Sequence, residues 1–160
     1  MKIGFIGLGN MATAIIGGLL REDTALSSED GNATVITAAN IIGSAKTEAT
    51  RQKRAEQFGI AVTASNREVA EAADVLVLAV KPQFFPEVIA EIRDAVSKNT
   101  LVISIAAGLT LERIAGLFDR NVTAMRLIRC MPNTPALVNA GCTAVVPGPG
   151  ATEADEALCL

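Results

Sequence analysis

The sequence predicts an α/β fold with a doubly wound, mainly parallel sheet, and three observations lead to this prediction. Short apolar runs alternate with helical stretches, which is the pattern of strand–helix units that feed a parallel sheet. After its first residue, the run at 74–80 (DVLVLAV) is entirely apolar, as expected of a strand buried on both faces. Half of the residues are apolar although Trp and Tyr are absent, so the core must be largely aliphatic.

The first half of the chain supplies four predicted strands. A strand at 2–6 precedes a helix at 10–21, whose apolar residues recur at three- and four-residue spacing, and the polar stretch 22–32 then predicts a loop. Residues 34–38 (TVITA) are β-branched and short enough for a second strand. The charged segment 46–58 predicts a solvated helix, which Gly59 ends. The remaining elements of this half are a strand at 60–63, a short helix at 66–72 and the strand at 74–80.

The second half adds three predicted strands. Pro82 ends the strand at 74–80 because proline cannot donate to the ladder, and it favours the start of a helix at 83–96. A fifth strand at 100–104 leads through Gly108 and the N-cap Thr110 into a helix at 111–118. The last two strands are predicted at 122–127 and 142–146. Between them, two prolines and several Asn and Gly residues predict a long loop at 129–141.

Composition excludes several functions. The formal net charge is −3 and no run of Lys or Arg is present, so nucleic acid is not an expected partner. The absence of His and Tyr removes imidazole and phenol groups as proton donors, and imidazole as a metal ligand. Glycines interrupt the uncharged segment 3–20, which argues against a membrane span.

The sequence has three cysteines, and no two of them have the spacing C-x-x-C. They are Cys130, Cys142 and Cys159. An odd number without that spacing argues against a disulfide framework or a zinc site, and no metal is expected. We interpret them as buried thiols in a protein of the reducing cytoplasm.

The most specific local motif is the turn Gly7-x-Gly9-x-x-Ala12, which lies between a predicted strand and a predicted helix. Gly7 permits a tight turn, Gly9 lets a pyrophosphate approach the backbone, and Ala12 lets the helix pack close to the strand. The helix N-terminus then offers N–H groups and a positive dipole to phosphates. The context predicts a dinucleotide-binding, Rossmann-type domain, and the alternative is an ordinary strand-to-helix turn.

Cofactor preference is expected at the end of the second strand, where an acidic residue often binds the ribose 2′-hydroxyl of NAD. Residues 37–40 (TAAN) contain no carboxylate there. Lys46, Arg51 and Lys53 are candidates to meet a 2′-phosphate instead, so the sequence predicts NADPH over NADH. The alternative is that these cations only solvate a helix face.

Four segments, taken together and in order, resemble the Δ1-pyrroline-5-carboxylate reductase family, the NAD(P)H-dependent enzymes of the last step of proline synthesis. The segments are 3–11 (IGFIGLGNM), 77–83 (VLAVKPQ), 102–108 (VISIAAG) and 129–141 (RCMPNTPALVNAG). The resemblance extends to about residue 146. It implies reduction of a cyclic imine to L-proline, with a small imino acid as substrate and NADPH as hydride donor.

The resemblance also implies a set of cofactor contacts. Residues from Ile6 to Met11 match the family's pyrophosphate clasp, and Ala39 matches a position where the family often has a serine that contacts the adenosine ribose or its phosphate. Asn66 matches an adenosine contact, although it could equally be a helix N-cap. The other positions match backbone around the nicotinamide, with Lys81 alternatively a surface lysine. The full set is Ile6, Gly7, Leu8, Gly9, Asn10, Met11, Ala39, Asn66, Ala79, Val80, Lys81, Pro82, Ile105, Ala106 and Ala107.

The family holds substrate and nicotinamide near a loop that corresponds to Met131, Pro132, Asn133 and Thr134. Asn133 is the candidate to orient the nicotinamide or the substrate, and an Asx turn that braces the loop is the alternative. No further catalytic residue is assigned, because no Lys, Asp, Glu or Cys stands out.

Family members have a second, helical C-terminal domain that dimerises and completes the substrate pocket. After the Pro-Gly linker at 147–150, Thr152 begins a helix at the end of the sequence. We therefore expect a dinucleotide-binding domain at 1–148, and a linker with the start of the helical domain at 149–160. We also expect a homo-oligomer formed through that domain, apolar surface near the last segment, and poor turnover by this chain alone. The alternatives are a domain like that of β-hydroxyacid dehydrogenases and a non-catalytic dinucleotide-binding module.

Overall fold

The computed structural model describes residues 1–21, 25–27, 33–133, 135–136 and 140–160. The strands are β1 (Ile3–Ile6), β2 (Ala25–Ser27), β3 (Ala33–Val35), β4 (Ile41–Ser44), β5 (Ala61–Thr63), β6 (Val75–Leu78), β7 (Leu101–Ser104), β8 (Leu127–Pro132) and β9 (Thr143–Pro147). The helices are α1 (Asn10–Leu19), α2 (Glu48–Phe58), α3 (Asn66–Ala72), α4 (Phe85–Ile92), α5 (Leu111–Leu117) and α6 (Glu153–Cys159). Within these ranges no helix is long and apolar enough to cross a membrane.

Seven strands form one sheet in the order β5-β4-β1-β6-β7-β8-β9. Every neighbouring pair is parallel except β8 and β9, which are antiparallel. The strands β2 and β3 form a separate antiparallel pair. The chain therefore starts in the middle of the sheet and winds outward in both directions, which confirms the predicted doubly wound α/β fold.

The central strand β6 shows why the sheet needs helices on both faces. Val75 and Val77 pack in one core with residues of α1, whereas Leu76 and Leu78 pack in the other with residues of α3, α4 and α5. All four side chains are at most 6% exposed. Burial of each contributes roughly 1.5–3 kcal/mol, so the apolar run predicted at 74–80 is confirmed as a strand buried on both faces.

The strand predicted at 34–38 is a strand only over its first two residues, and it is not the second strand of the main sheet. Ala33–Val35 pairs with β2 outside the main sheet, and a 3₁₀ turn at Ala38–Asn40 follows. The strand beside β1 is instead β4, where Ile41 is fully buried and Gly43 accommodates the side chain of Leu8. Propensity favoured the segment with more β-branched residues, but the packing of Leu8 against Gly43 selects β4.

The C-terminal part of the sheet also differs from expectation. Instead of a strand at 122–127, the structure has a 3₁₀ turn at Val122–Ala124 and begins β8 at Leu127. This strand runs into the predicted loop 129–141, because β9 pairs with it as far as Pro132. Residues 134 and 137–139, and most of the loop predicted at 22–32, lie outside the described residues.

The last helix is fastened to the sheet by a polar cluster. Thr152 caps α6, and its Oγ1 accepts from the N–H of Asp155 at 3.1 Å. The Asp155 carboxylate is 1% exposed and accepts from Nε of Arg126 at 3.0 Å. Burial raises the pKa of Asp155, but the hydrogen bonds from Arg126 and Thr152 outweigh it and hold the pKa below its usual value. The pair thus joins α6 to the residue that precedes β8.

Candidate functional site

The turn from Gly7 to Ala12, called the phosphate turn below, connects β1 to α1. The N–H of Gly7 donates to the carbonyl of Ser44 at 3.1 Å, which ties the turn to the end of β4. Gly7 has φ of +95°, and a Cβ there would lie 3.0 Å from the Ala79 carbonyl. Ala12 is 1% exposed between α1 and the sheet. These positions agree with the expected roles of Gly7 and Ala12.

Gly9 is the residue immediately before α1. It is the N-cap residue, no side chain caps the helix, and the first turn carries no acidic residue. A Cβ built on Gly9 would meet no atom of the described residues within 4 Å. The first-turn N–H groups of a helix have no partner within the helix, so this end can accept a phosphate. The phosphate turn therefore fits the pyrophosphate of a dinucleotide.

Ser44, at the carboxyl end of β4, connects Asn66, a predicted adenosine contact, to the phosphate turn. Ser44 is fully buried, and its hydroxyl donates to Oδ1 of Asn66 at 2.7 Å. The amide nitrogen of Asn66 donates to Glu91 at 2.6 Å. Ser65, rather than Asn66, is the N-cap of α3, so the interpretation of Asn66 as a helix cap is wrong.

Ala39 does not lie at the edge of the sheet where the carboxyl ends of β1 and β4 carry the phosphate turn and Ser44. Its carbonyl accepts from Nζ of Lys2 at 2.7 Å, and the neighbouring Asn40 donates to the carbonyl of Met1 at 3.0 Å. These contacts place Ala39 before β4, at the edge of the sheet opposite the phosphate turn. The expectation of a cofactor contact at Ala39 is therefore wrong, because it depended on the misplaced second strand.

Lys46 and Arg51 lie at the turn that follows β4, and Arg54 of α2 reaches the phosphate turn. Nζ of Lys46 lies 3.2 Å from Oε1 of Glu87, whereas Arg51 donates to the carbonyls of Ala45 and Lys46 at 2.7 and 3.0 Å. Arg54 donates to the carbonyl of Leu8 at 3.3 Å. Sequence reasoning did not select Arg54, and only a correct placement of β4 would have shown that α2 faces the phosphate turn. Lys53 is exposed on α2.

The segments 79–82 and 105–107, which were predicted to surround the nicotinamide, lie at the same edge of the sheet as the phosphate turn. The N–H of Ala79 donates to the carbonyl of Ile6 at 2.9 Å, and that of Ile105 donates to the carbonyl of Leu78 at 3.3 Å. Ala106 is 3% exposed, and its N–H donates to the hydroxyl of Ser104. The ends of β1, β6 and β7 thus lie side by side, and the segment 79–82 lies between the phosphate turn and the segment 105–107.

Asn133 lies just beyond the end of β8. Its Oδ1 accepts from the N–H of Cys142 at 2.9 Å, so the side chain joins the two arms of the β8–β9 hairpin. This contact supports the bracing interpretation of Asn133. Met131 is 42% exposed nearby, and Thr134 lies outside the described residues.

An apolar groove of about 400 Å³ runs along the sheet face between α1 and α6. Ile105 and Pro132, which follow or end strands at the carboxyl-end edge of the sheet, line this groove together with Leu160, which is 88% exposed. This agrees with the apolar surface expected near the last segment.

Two cysteines also line this groove. A hydrogen bond between Cys130 and Cys159 lowers the pKa of the Cys130 thiol and, together with burial, raises the pKa of the Cys159 thiol. Cys142 is exposed, so the prediction of a buried thiol is wrong there. Among the residues that the structure describes, no group of three or more His, Cys, Asp or Glu side chains could hold a metal ion.

Comparisons with known proteins agree with this geometry. The sequence model of the family described as "NADP oxidoreductase coenzyme F420-dependent" matches residues 2–108. The pyrroline-5-carboxylate reductase of Escherichia coli K12 is 43% identical over 99% of this chain and 54% of its own length.

Solved structures give the same result. A pyrroline-5-carboxylate reductase from Coxiella burnetii superposes with a TM-score of 0.81 at 31% identity, covering 98% of this chain and 56% of that one. The pyrroline carboxylate reductase of Plasmodium falciparum, solved with NADP bound, has a TM-score of 0.72 at 25% identity, covering 98% of this chain and 51% of that one. The chain thus spans about half the length of the relatives it matches.

Proposed function

Because the chain belongs to this NADP oxidoreductase family and is similar to the N-terminal half of pyrroline-5-carboxylate reductases, we propose that it is the NADPH-binding domain of such an enzyme. The reaction is the reduction of Δ1-pyrroline-5-carboxylate to L-proline. The observation that carries the proposal is the meeting of the phosphate turn with the segments 79–82 and 105–107 at one edge of the sheet.

The residues present fit the cofactor in three places. The phosphate turn and the N-terminus of α1 would hold the pyrophosphate, since Gly9 leaves the approach open. Asn66, fixed by Ser44 and Glu91, would contact the adenosine portion of the cofactor. The backbone of segments 79–82 and 105–107 would surround the nicotinamide and its ribose.

When bound, the reduced nicotinamide supplies a hydride to the imine carbon, while the imine nitrogen takes a proton. The task of this chain is to hold the donor carbon at the sheet edge and to exclude water from it. With neither His nor Tyr in the sequence, positioning is its main contribution. Asn133, beyond the end of β8, is the one side chain we retain as a candidate to orient the nicotinamide or the substrate.

The preference for NADPH over NADH is part of the proposal. No carboxylate occurs in the segment 44–47 that ends β4, although β4 is the strand after which NAD-selective domains often place one. Lys46 lies in this segment, and Arg51 orders the segment through two backbone carbonyls. A 2′-phosphate would therefore meet the cation of Lys46 in this segment, which itself contributes no carboxylate.

The remaining parts of the proposal concern the whole protein. We retain a dinucleotide-binding domain at 1–148 and a linker with the beginning of a helical domain at 149–160. That second domain would complete the substrate pocket and form a homo-oligomer in the cytoplasm. The apolar groove reaches the carboxyl-end edge of the sheet at Ile105 and Pro132. It supports the proposal that a second domain completes the substrate pocket there.

The test is a chimera that joins this chain to the C-terminal half of the E. coli relative. We expect the chimera to oxidise NADPH when Δ1-pyrroline-5-carboxylate is added, and the chain alone to bind NADPH with little turnover. The same chimera carrying Gly9→Val is the matched control and should be inactive. A chimera that binds NADPH as tightly as the E. coli enzyme, but oxidises a β-hydroxy acid or reduces nothing, would contradict the proposal.

A further inference from the structure

Two carboxylates of α4 face the adenosine end of the site. Glu87 lies in the first turn of α4, and Glu91 follows one helical turn later on the same face. Glu91 accepts from Asn66 at 2.6 Å, and Glu87 lies 3.2 Å from the ammonium of Lys46. Both acids therefore reach the residues that surround the end of β4, although α4 itself follows β6 in the chain.

The ammonium of Lys46 is drawn toward α4 by a second contact. It lies 5.1 Å from the centroid of the Phe84 ring, close enough for a cation–π interaction. The side chains of Lys46 and Glu87 are 72% and 57% exposed, so their ion pair is a surface contact that can open. Lys46 is thus partnered on α4 while it lies in the segment that would meet a 2′-phosphate.

We propose that Glu87 determines the degree of cofactor selectivity by competing with the 2′-phosphate for Lys46. This inference rests on the proposed function, because it concerns the adenosine end of the same site. To bind NADPH, Lys46 must leave Glu87, and the carboxylate of Glu87 then lies near a group that carries up to two negative charges. NADH has only a hydroxyl at this position, so its binding does not require Lys46 to move.

The test is the variant Glu87→Gln in the full chain, with the dissociation constants of NADPH and NADH measured by titration. We expect NADPH to bind about two- to fivefold more tightly, since a surface pair of this kind contributes little more than that factor. NADH affinity should change less than twofold. The gain should disappear in a Lys46→Met background, and it should shrink at high salt because the competition is electrostatic.

The matched control is Glu71→Gln, which removes another exposed carboxylate paired at 2.8 Å with an arginine, Arg67 of α3. It should leave both affinities unchanged. The inference is overturned if Glu87→Gln leaves the ratio of the NADPH and NADH affinities unchanged. It is also overturned if Glu87→Gln raises NADPH affinity as much in the Lys46→Met background as in the unmodified chain. If the unmodified chain binds neither dinucleotide, the proposed function fails and the inference fails with it.

Discussion

Gly7 and Gly9 lie two residues apart in the phosphate turn, but the backbone conformation requires glycine only at Gly7. Gly7 has a positive φ and touches the backbone of Ala79, so its replacement strains the fold itself. Gly9 has φ of −76°, which any residue can adopt, and no atom in the described part of the chain lies within 4 Å of where its Cβ would be. The fold itself therefore does not require glycine at this position, which agrees with the proposal that a pyrophosphate approaches the backbone there.

The variants Gly9→Val and Gly7→Ala should separate these two roles. Gly9→Val should abolish NADPH binding and lower the free energy of unfolding by no more than about 1 kcal/mol, the cost of a poorer N-cap. Gly7→Ala should lower it by roughly 1–3 kcal/mol, because alanine is strained in that conformation. Urea unfolding and cofactor titration measure both quantities. Unchanged NADPH affinity in Gly9→Val would show that the phosphate turn does not bind the cofactor.

The candidate site was predictable from the sequence wherever a contact follows from the local motif. Gly7, Gly9 and Ala12 occupy the expected positions because a strand, a turn and a helix in immediate succession fix their geometry. Ser44 and Arg54 were missed, and Ala39 was misplaced, because these positions depend on which segment pairs with β1. That pairing is a tertiary choice, and no local pattern in residues 33–44 reveals it.

At the scale of elements, prediction succeeded where burial dictates the pattern. The helix at 66–72 and the strand within 74–80 were located closely, since α3 has a clear cap and β6 a continuous apolar run. The hairpin of β8 and β9 was not predicted, because Pro132 and Asn133 indicate a loop. Pro132 lies beyond Arg129, the last residue of β8 that pairs with β7, so this end of β8 has a neighbour on one side only and tolerates a proline.

The attachment of α6 provides a test at this scale. Arg126→Ala should lower the free energy of unfolding by about 2–3 kcal/mol, because it leaves the buried carboxylate of Asp155 without its cation. The variant Asp119→Asn is the control, since Asp119 pairs with Arg93 at 2.5 Å on an exposed surface. It should cost less than about 1 kcal/mol in urea unfolding at neutral pH.

The same pair predicts a dependence on pH. The pKa of Asp155 is lower in the folded chain than its usual value, so the stabilisation is complete above that usual value, near 3.8. It should be lost as the pH falls through the lowered value. The free energy of unfolding, measured from pH 7 to pH 2, should therefore fall less steeply with decreasing pH in Asp155→Asn than in the unmodified chain. Parallel pH profiles would show that Asp155 does not contribute in this way.

At the scale of the whole molecule, the two faces of the sheet are covered differently. One core joins β6, β7 and β8 to three consecutive helices, α3, α4 and α5. The other core lies under α1 and α6, which leave the apolar groove between them. Ile105 and Pro132 line this groove, so it reaches the carboxyl-end edge of the sheet, where we propose that the cofactor binds.

Cofactor binding should therefore stabilise the chain as a whole. A ligand that binds only the folded state, at one hundred times its dissociation constant, contributes about 2.7 kcal/mol. For a chain of 160 residues, each kcal/mol raises Tm by about 2–4 °C. NADPH at that level should thus raise Tm by about 5–11 °C in scanning calorimetry, with NADH at equal concentration giving a smaller rise. Gly9→Val should show no rise at all. An unmodified chain whose Tm does not respond to NADPH would contradict its assignment as a cofactor-binding domain, independently of any catalytic assay.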